Sequence, residues 1–361
     1  MKRALVLCLL PLLFTLSGCQ RGASPPPGRP VEAGAVSGAP SPTPPAAALT
    51  GKPSAAGPGS VTAPPSPSAA PTPANGKDGA FALSAPVVRL VNPGREPRRE
   101  LAYRYSLKPF ETGFEVRAGI AMEIGAAPIP PIRVPALALT ASVTPKSVSP
   151  SGDLRFAFRL GDIRMLPTPD ANAQVAALLG QALKDPAAGK FGGTAVISRK
   201  GLIRDMTIDT AVADPRLQPV WDQLRNPVGG VVLPDGPVGP GAVWESVQTL
   251  TAQGARFRQV TRFTLESRQG DRFRVKTVFL QTLVEPGAAV SSAPGFPPSR
   301  INAFDVSLSG VLEWDVSCPF PVSGSAAGKG ALRVDLGTGG NPQPMSLAFD
   351  LDLRLKPPKT P

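Results

Sequence analysis

The chain has 361 residues, 46 of them proline, and a formal net charge of +12 at neutral pH. It contains no histidine, which excludes Ser-His-Asp and Cys-His catalysis and nearly all zinc sites. Its arginines alternate along predicted strands, and no basic run is interleaved with stacking aromatic residues, so we expect no nucleic-acid partner.

The chain begins with a basic segment, Met1-Lys2-Arg3, followed by an apolar run from Ala4 to Leu16. A membrane-spanning helix needs about 18 or more apolar residues, so this shorter run predicts a cleaved signal peptide over residues 1–18. The run ends in Leu16-Ser17-Gly18-Cys19, which resembles the bacterial lipobox. The alternative is an ordinary secretory signal in which the cysteine is incidental.

The lipobox resemblance implies cleavage before Cys19 and acylation of that residue. Two or more acyl chains anchor a protein stably, so the expected partner is a membrane, reached through Cys19. In lipoproteins of this kind an aspartate after the cysteine signals retention at the inner membrane. Residue 20 is Gln20, so the resemblance implies the outer membrane of the cell envelope.

Residues 19–80 consist mostly of proline, alanine, glycine and serine and contain no aromatic residue. Such a segment buries too little apolar surface to offset its ordering entropy, so we predict a disordered, lipid-anchored tether. Two other roles remain open for its proline-rich stretches: docking sites for a partner, or glycosylation at serine and threonine.

Residues 81–361 form the predicted globular domain, which begins with alternating strands. Apolar residues recur at every second position over 101–107 and 114–124, which predicts a hairpin. Four prolines between 128 and 135 predict a break in the sheet before a strand over 136–143. A Ser151-Gly152-Asp153 turn then leads into a strand over 154–160.

Two helices are predicted within this sheet. Asp170 is a plausible N-cap for the apolar stripe Val175, Leu178, Leu179 and Ala182. A second helix from Asp214 places Leu217, Val220, Trp221 and Leu224 on one face, with a hairpin over 192–198 and 202–210 between the two helices. Both stripes are expected to pack onto the sheet; the alternative is a movable lid over a cavity.

The second half opens with Leu233-Pro234-Asp235-Gly236-Pro237-Val238 and continues through Gly241 to Trp244. Together with the Lys-Gly hairpin upstream, this element resembles one in a family of uncharacterised secreted and lipid-anchored β-rich bacterial proteins. The family has no assigned activity, so the resemblance implies a fold only. Long strands are predicted over 257–266, 273–284, 304–318, 332–336 and 345–355.

The predicted fold class is mainly β, with long antiparallel curved sheets and two short packing helices. Each half carries a Gly-Asp turn followed by a long strand, at 152–153 and at 270–271. This repetition suggests two tandem half-barrel-like units, with halves at 81–228 and 229–361.

No local motif assigns chemistry to the domain, and we predict no catalytic residue, metal site or cofactor. Cys318 is the one cysteine outside the signal and lipobox. It continues the every-second-residue apolar pattern of the strand over 304–318, which predicts that it is buried as a small hydrophobic residue. Gly324 to Gly330 resembles a phosphate-binding loop but lacks its Ser or Thr, so a flexible hairpin loop is predicted. Asp350 and Asp352 share a strand face and could bind calcium, but a solvated face paired with Arg354 is the preferred interpretation.

The function expected from these features is a membrane-anchored, non-enzymatic β domain with an apolar concave face that binds a lipid or another apolar ligand. This expectation rests on analogy with lipoprotein carriers and the half-barrels of lipid-binding proteins. The alternatives are a structural or interaction module, such as an accessory subunit of an envelope complex, and a hydrolase using carboxylates from distant strands.

Overall fold

The computed structural model describes residues 82–83, 85–125, 127–183, 192–208, 231–252, 254–290, 299–337 and 342–356. The predicted signal peptide, Cys19, the tether and the second predicted helix lie outside these residues. The first predicted helix and nearly all the predicted strands lie within them.

The described residues form seventeen strands and one helix. The first nine strands are β1 (Ala82–Leu83), β2 (Val87–Asn92), β3 (Arg99–Glu100), β4 (Phe110–Ile124), β5 (Ala127–Arg133), β6 (Leu137–Val148), β7 (Leu154–Met165), β8 (Gly192–Ile197) and β9 (Ile203–Ile208). The remaining strands are β10 (Pro237–Val238), β11 (Val243–Ala252), β12 (Ala255–Gln269), β13 (Arg272–Leu283), β14 (Ala288–Val290), β15 (Ser299–Asp315), β16 (Ser323–Leu336) and β17 (Gln343–Lys356). The helix α1 spans Ala173–Leu183.

One large antiparallel sheet contains all of these strands except β3 and β10, which pair with each other. Its main order is β1-β11-β12-β13-β15-β16-β17-β4-β6-β7-β8-β9. Strand β17 near the C-terminus lies beside β4 from the first half, in register from Met345 against Ile124 to Lys356 against Gly113. The two predicted half-barrel units are therefore not confirmed, because strands of both halves join one sheet.

The sheet bends so that strands near both of its ends pack against the same core. Cluster 1, a group of buried side chains, contains Trp244 of β11 together with Phe156 of β7 and Ile197 of β8. These strands lie far apart in the order of the sheet, yet their apolar faces meet. The sheet is nonetheless not closed into a barrel.

The alternation in the sequence correctly identifies the buried faces of the long strands. In β17 the buried side chains are Leu347, Phe349, Leu351 and Leu355. In β15, Val306, Leu308 and Trp314 are buried in the same way. Because successive side chains of a strand point to opposite faces, one face enters the core while charged residues occupy the other.

The helix α1 packs into a second group of buried side chains, cluster 2. Val175 and Leu179 lie in this cluster with Ile120, Phe279 and Phe349, among others. Val175 and Leu179 are two residues of the predicted stripe, so the predicted packing of this helix onto the sheet is confirmed.

The predicted N-cap of this helix is wrong. The carboxamide oxygen Oδ1 of Asn172 accepts hydrogen bonds from the backbone N–H groups of Gln174 at 3.0 Å and Val175 at 3.1 Å. Asp170 lies two residues earlier, in an exposed turn. Asparagine and aspartate cap about equally well, so residue type did not distinguish these candidates.

The predicted strand over 101–107 is also wrong. Residues 101–106 belong to no described strand. The N–H of Tyr103 donates to the carbonyl of Arg199 at 2.8 Å, and the N–H of Arg104 donates to the carbonyl of Val316 at 2.8 Å. The alternating burial of Leu101, Tyr103 and Tyr105 comes from insertion between these two chain segments rather than from a hairpin with β4.

Two further local predictions fail because residues that usually break strands lie within strands here. The prolines at 128, 130 and 131 fall inside β5, which pairs with β4 alone among the described residues. An edge position tolerates proline because no second ladder requires its N–H. The segment Gly324–Gly330 is not a loop but part of β16, paired with β15 and β17.

The glycines of β16 allow neighbouring side chains to lie close to the backbone. A Cβ added at Gly330 would come within 2.0 Å of the phenyl ring of Phe349, its register partner in β17. The absence of a side chain at Gly330 therefore makes room for an aromatic ring of cluster 2.

Candidate functional site

A cavity of about 130 Å³ lies inside the bent sheet. Its lining shares Phe263 and Trp314 with cluster 1 and shares Phe279 and Leu308 with cluster 2. Phe114 belongs to a third small cluster that also borders the cavity. The cavity is therefore the space that the three groups of core side chains leave between them.

One part of the cavity wall carries most of its polar side chains. These lie on three neighbouring strands, β11, β12 and β13: Ser246, Gln248, Gln259, Thr261 and Thr277. Strands β15, β16, β17 and β4 contribute apolar groups, among them Leu308, Ala326, Leu353 and Phe114. None of the described residues in the lining carries a charged side chain.

Three glutamines continue this polar region across the sheet. Gln248 of β11 is the register partner of Gln259 of β12, which in turn is the partner of Gln281 of β13. Their exposed fractions are 6%, 6% and 3%. Glutamine is mostly found exposed, so three in one buried row are unusual for a packed core.

Three buried polar side-chain atoms have no hydrogen-bond partner among the described residues: Trp314 Nε1, Thr277 Oγ1 and Gln281 Oε1. Trp314 and Thr277 line the cavity. A buried polar atom without a partner costs about 1–3 kcal/mol of folding free energy. Two of the residues that line the cavity therefore carry a buried polar atom that pairs with no other described residue.

The sequence left open whether the interior of the sheet is a cavity or a filled core, although a signal for the polar wall was present. In β11, Trp244 and Leu250 are buried on the inner face, and the same alternation places Ser246 and Gln248 between them. Polar residues that interrupt an otherwise apolar strand face indicate either a wet interior or a site. Bringing β11, β12 and β13 together was needed to show that these residues are neighbours.

A larger cleft of about 480 Å³ is lined by Arg272, Arg274 and Glu313. Its charged groups already have partners: Arg274 lies 3.0 Å from Glu266, and Glu313 accepts a hydrogen bond from Ser323 at 2.7 Å. This cleft has a polar surface, but it offers a ligand few unpaired groups, and we prefer the cavity as the candidate site.

The element that resembles the uncharacterised family has a structural role. The Nε1 of Trp244 donates to the carbonyl of Val232 at 2.7 Å, and Lys200 Nζ donates to the carbonyl of Pro234 at 3.1 Å. The N–H of Leu233 donates to the carbonyl of Lys200 at 2.8 Å. The Lys-Gly hairpin and the Leu-Pro segment are thus held together beside cluster 1.

Glu100 completes this arrangement at the surface. Its Oε1 lies 3.2 Å from both Lys200 Nζ and Arg199 Nη2. The hydrogen bond from Lys200, with the positive charges of Lys200 and Arg199, holds the pKa of Glu100 below its usual value. The three groups form a small ion-pair network rather than a catalytic constellation.

The other residues considered from the sequence are not brought together into a site. Asp350 pairs with Arg133 at 3.3 Å and Asp352 with Arg354 at 3.3 Å, so the preferred interpretation of a charged outer face is confirmed. Cys318 lies beyond the end of β15 and is only half-buried, and this burial raises the pKa of its thiol. Within the described ranges no group of three or more Cys, Asp or Glu side chains could hold a metal ion.

The sequence matches no protein-family model. A search of curated proteins likewise returned no match. Among the residues with described structure, no helix has the length and apolar character needed to cross a membrane.

Proposed function

We propose that this protein is a lipid-anchored envelope protein whose β domain binds an apolar group in its interior and catalyses no reaction. The observation that supports binding is the cavity, whose lining among the described residues is largely apolar and carries no charge. The proposed anchor is Cys19, and the proposed location is the outer membrane; both rest on the lipobox resemblance.

The size of the cavity limits what it can hold. Ligand pockets for drug-sized molecules usually measure about 300–1,000 Å³, whereas an apolar cavity of about 150 Å³ holds a benzene ring. A cavity of about 130 Å³ therefore suits one ring or a short alkyl segment. We propose that it receives one end of a ligand rather than an entire lipid.

The bent sheet supports a weaker form of the half-barrel hypothesis. Strands near both ends contribute to cluster 1, as expected for a sheet curved around an apolar interior. The proposal is one curved unit with a single interior, not two units in tandem. The resemblance to the uncharacterised family stays part of this proposal, without an activity attached to it.

The experiment that tests binding is mass spectrometry of organic extracts from purified full-length protein carrying Cys19→Ser, so that no covalent lipid contributes. The amount of extracted molecule is compared between this protein and one that also carries Ala326→Leu, which places a larger side chain in the cavity lining. Ala327→Leu is the matched control, because Ala327 is the exposed next residue on β16.

The proposal predicts a stoichiometric apolar molecule in the unaltered and Ala327→Leu proteins and less of it in Ala326→Leu. Equal amounts in all three proteins would place the molecule outside the cavity. No co-purifying molecule in any of them would favour the alternative of a structural or interaction module.

One observation favours that alternative. Strand β9 ends the main order of the sheet and pairs only with β8 within the described part of the chain. A strand with an unpaired edge can accept a strand from another protein. If crosslinking in intact cells captured no protein through this edge, that result would count against the interaction module.

A further inference from the structure

We propose that the part of the ligand held in the cavity is uncharged, that it has an apolar body and a hydrogen-bond-accepting oxygen, such as that of a ketone, ester or ether, and that this oxygen accepts from the indole N–H of Trp314. The inference rests on the proposed function, because it specifies the chemistry of a ligand held in the same cavity.

The charge of the group inside the cavity follows from the cavity wall. Among the described residues that line it there is no lysine, arginine, aspartate or glutamate. A carboxylate or ammonium group placed there would lose its hydration without gaining an opposite charge, and such burial is strongly unfavourable. The wall therefore selects against an ionised group, such as a fatty-acid carboxylate, inside the cavity.

The need for an acceptor follows from Trp314. The indole Nε1–H can only donate a hydrogen bond, so an acceptor must satisfy it. Trp314 is 2% exposed, and its Nε1 has no partner among the described residues. Trp244 provides the internal comparison, because its buried Nε1 donates to a backbone carbonyl at 2.7 Å. Of these two buried indoles, the one that lines the cavity is the one without a protein acceptor.

Thr277 is a second polar residue in the same wall. Its Oγ1 is also buried and has no hydrogen-bond partner in the described part of the chain. Thr277 is the register partner of Gly310, four residues before Trp314 along β15. Four residues of a strand span about 13 Å, so one ligand oxygen is not expected to contact both groups. The inference assigns the acceptor to Trp314.

A matched pair of ligands tests this assignment. Acetophenone and α-methylstyrene have closely similar shapes. Acetophenone has a carbonyl oxygen where α-methylstyrene has a methylidene group. Both dissociation constants are measured by calorimetry for the full chain carrying Cys19→Ser, and again after adding Trp314→Phe or Thr277→Val. Any change in cavity size affects both ligands, so the ratio of their affinities isolates the hydrogen bond.

The affinity of acetophenone relative to α-methylstyrene is expected to fall about threefold to tenfold in Trp314→Phe, the range for one net hydrogen bond. Thr277→Val is expected to leave this ratio unchanged. An unchanged ratio in Trp314→Phe, or a loss confined to Thr277→Val, overturns the assignment. Failure of the parent protein to bind either ligand overturns the proposed function itself, which is a distinguishable result.

A second measurement does not depend on the folding of Trp314→Phe. The chain has three tryptophans, and their indole N–H signals can be resolved by nitrogen-15 NMR and assigned by elimination with Trp221→Phe and Trp244→Phe. The Trp314 signal is expected to move downfield with acetophenone but not with α-methylstyrene. The same response to both ligands would overturn the inference.

Discussion

Trp244 and Trp314 allow the same substitution to be made at two buried indoles that differ in hydrogen bonding. Their exposed fractions are 0% and 2%, and both belong to cluster 1. Trp244 Nε1 donates to the carbonyl of Val232, whereas Trp314 Nε1 has no partner among the described residues. Replacing each with phenylalanine removes the same atoms, so we expect the loss of packing to be similar.

The difference between the two variants then comes from the hydrogen bond. Trp244→Phe loses a net contribution of about 0.5–1.5 kcal/mol and leaves the Val232 carbonyl without its partner. Trp314→Phe removes an unpaired buried N–H, whose desolvation costs about 1–3 kcal/mol in the unaltered protein. We therefore expect Trp244→Phe to reduce the free energy of unfolding by about 2 kcal/mol more than Trp314→Phe does.

The assay is urea unfolding followed by far-ultraviolet circular dichroism, because tryptophan fluorescence changes with the substitutions themselves. The slope of the free energy against urea must agree between the variants for the midpoints to be compared, and the expected separation is then about 1 M urea. In protein freed of bound ligand, equal destabilisation, or a larger loss for Trp314→Phe, would show that the protein itself satisfies Trp314 Nε1. That result would refute both the expected order of stabilities and the assignment of a ligand acceptor to Trp314.

Three other substitutions test the local structure. Gly330→Ala should destabilise the protein by about 1–3 kcal/mol, because the added methyl group meets the aromatic ring that lies over β16. Gly161→Ala in β7 should not destabilise the protein, because no atom of the described residues lies near the added Cβ. Similar urea midpoints for the Gly330→Ala and Gly161→Ala proteins would contradict this packing. Asn172→Ala should cost about 1 kcal/mol through loss of the helix cap, whereas Asp170→Ala should cost little; the reverse order in thermal unfolding would restore the original N-cap prediction. Glu100 has a lowered pKa, so its stabilising effect is present above the unfolded-state pKa and is lost as the pH falls through the folded-state value. Glu100→Gln should accordingly lose less stability than the unaltered protein between neutral and acidic pH, and parallel losses would argue against the ion-pair network.

The sequence alone predicted the buried faces of the long strands and the first helix. The period-two pattern of β17 and the i, i+4 pair Val175 and Leu179 are local signals, because each depends only on the geometry of its own element. The sequence could not distinguish Asn172 from Asp170 as the cap, since either side chain can accept the same backbone hydrogen bonds.

Local signals gave wrong predictions where distant partners decide the structure. Residues 101–106 have the alternation of a strand, but the carbonyls of Arg199 and Val316 hold them in place. The glycines of β16 indicate a loop when considered alone, yet β15 and β17 hold them in a ladder on both sides. Pairing between strands far apart in sequence overrides local preference in both cases.

The amino-acid sequence is enough to exclude histidine-dependent catalysis, because the chain has no histidine. It is also enough to identify the apolar faces of the strands. Only the tertiary structure decided that strands of both halves form one sheet and that its bend leaves a cavity. It also placed Trp314 and Thr277 in the wall of that cavity, where Trp314 Nε1 and Thr277 Oγ1 find no partner among the described residues. The physical reason is that a cavity and an unpaired donor depend on what surrounds a residue, and these surroundings come from strands far apart along the chain.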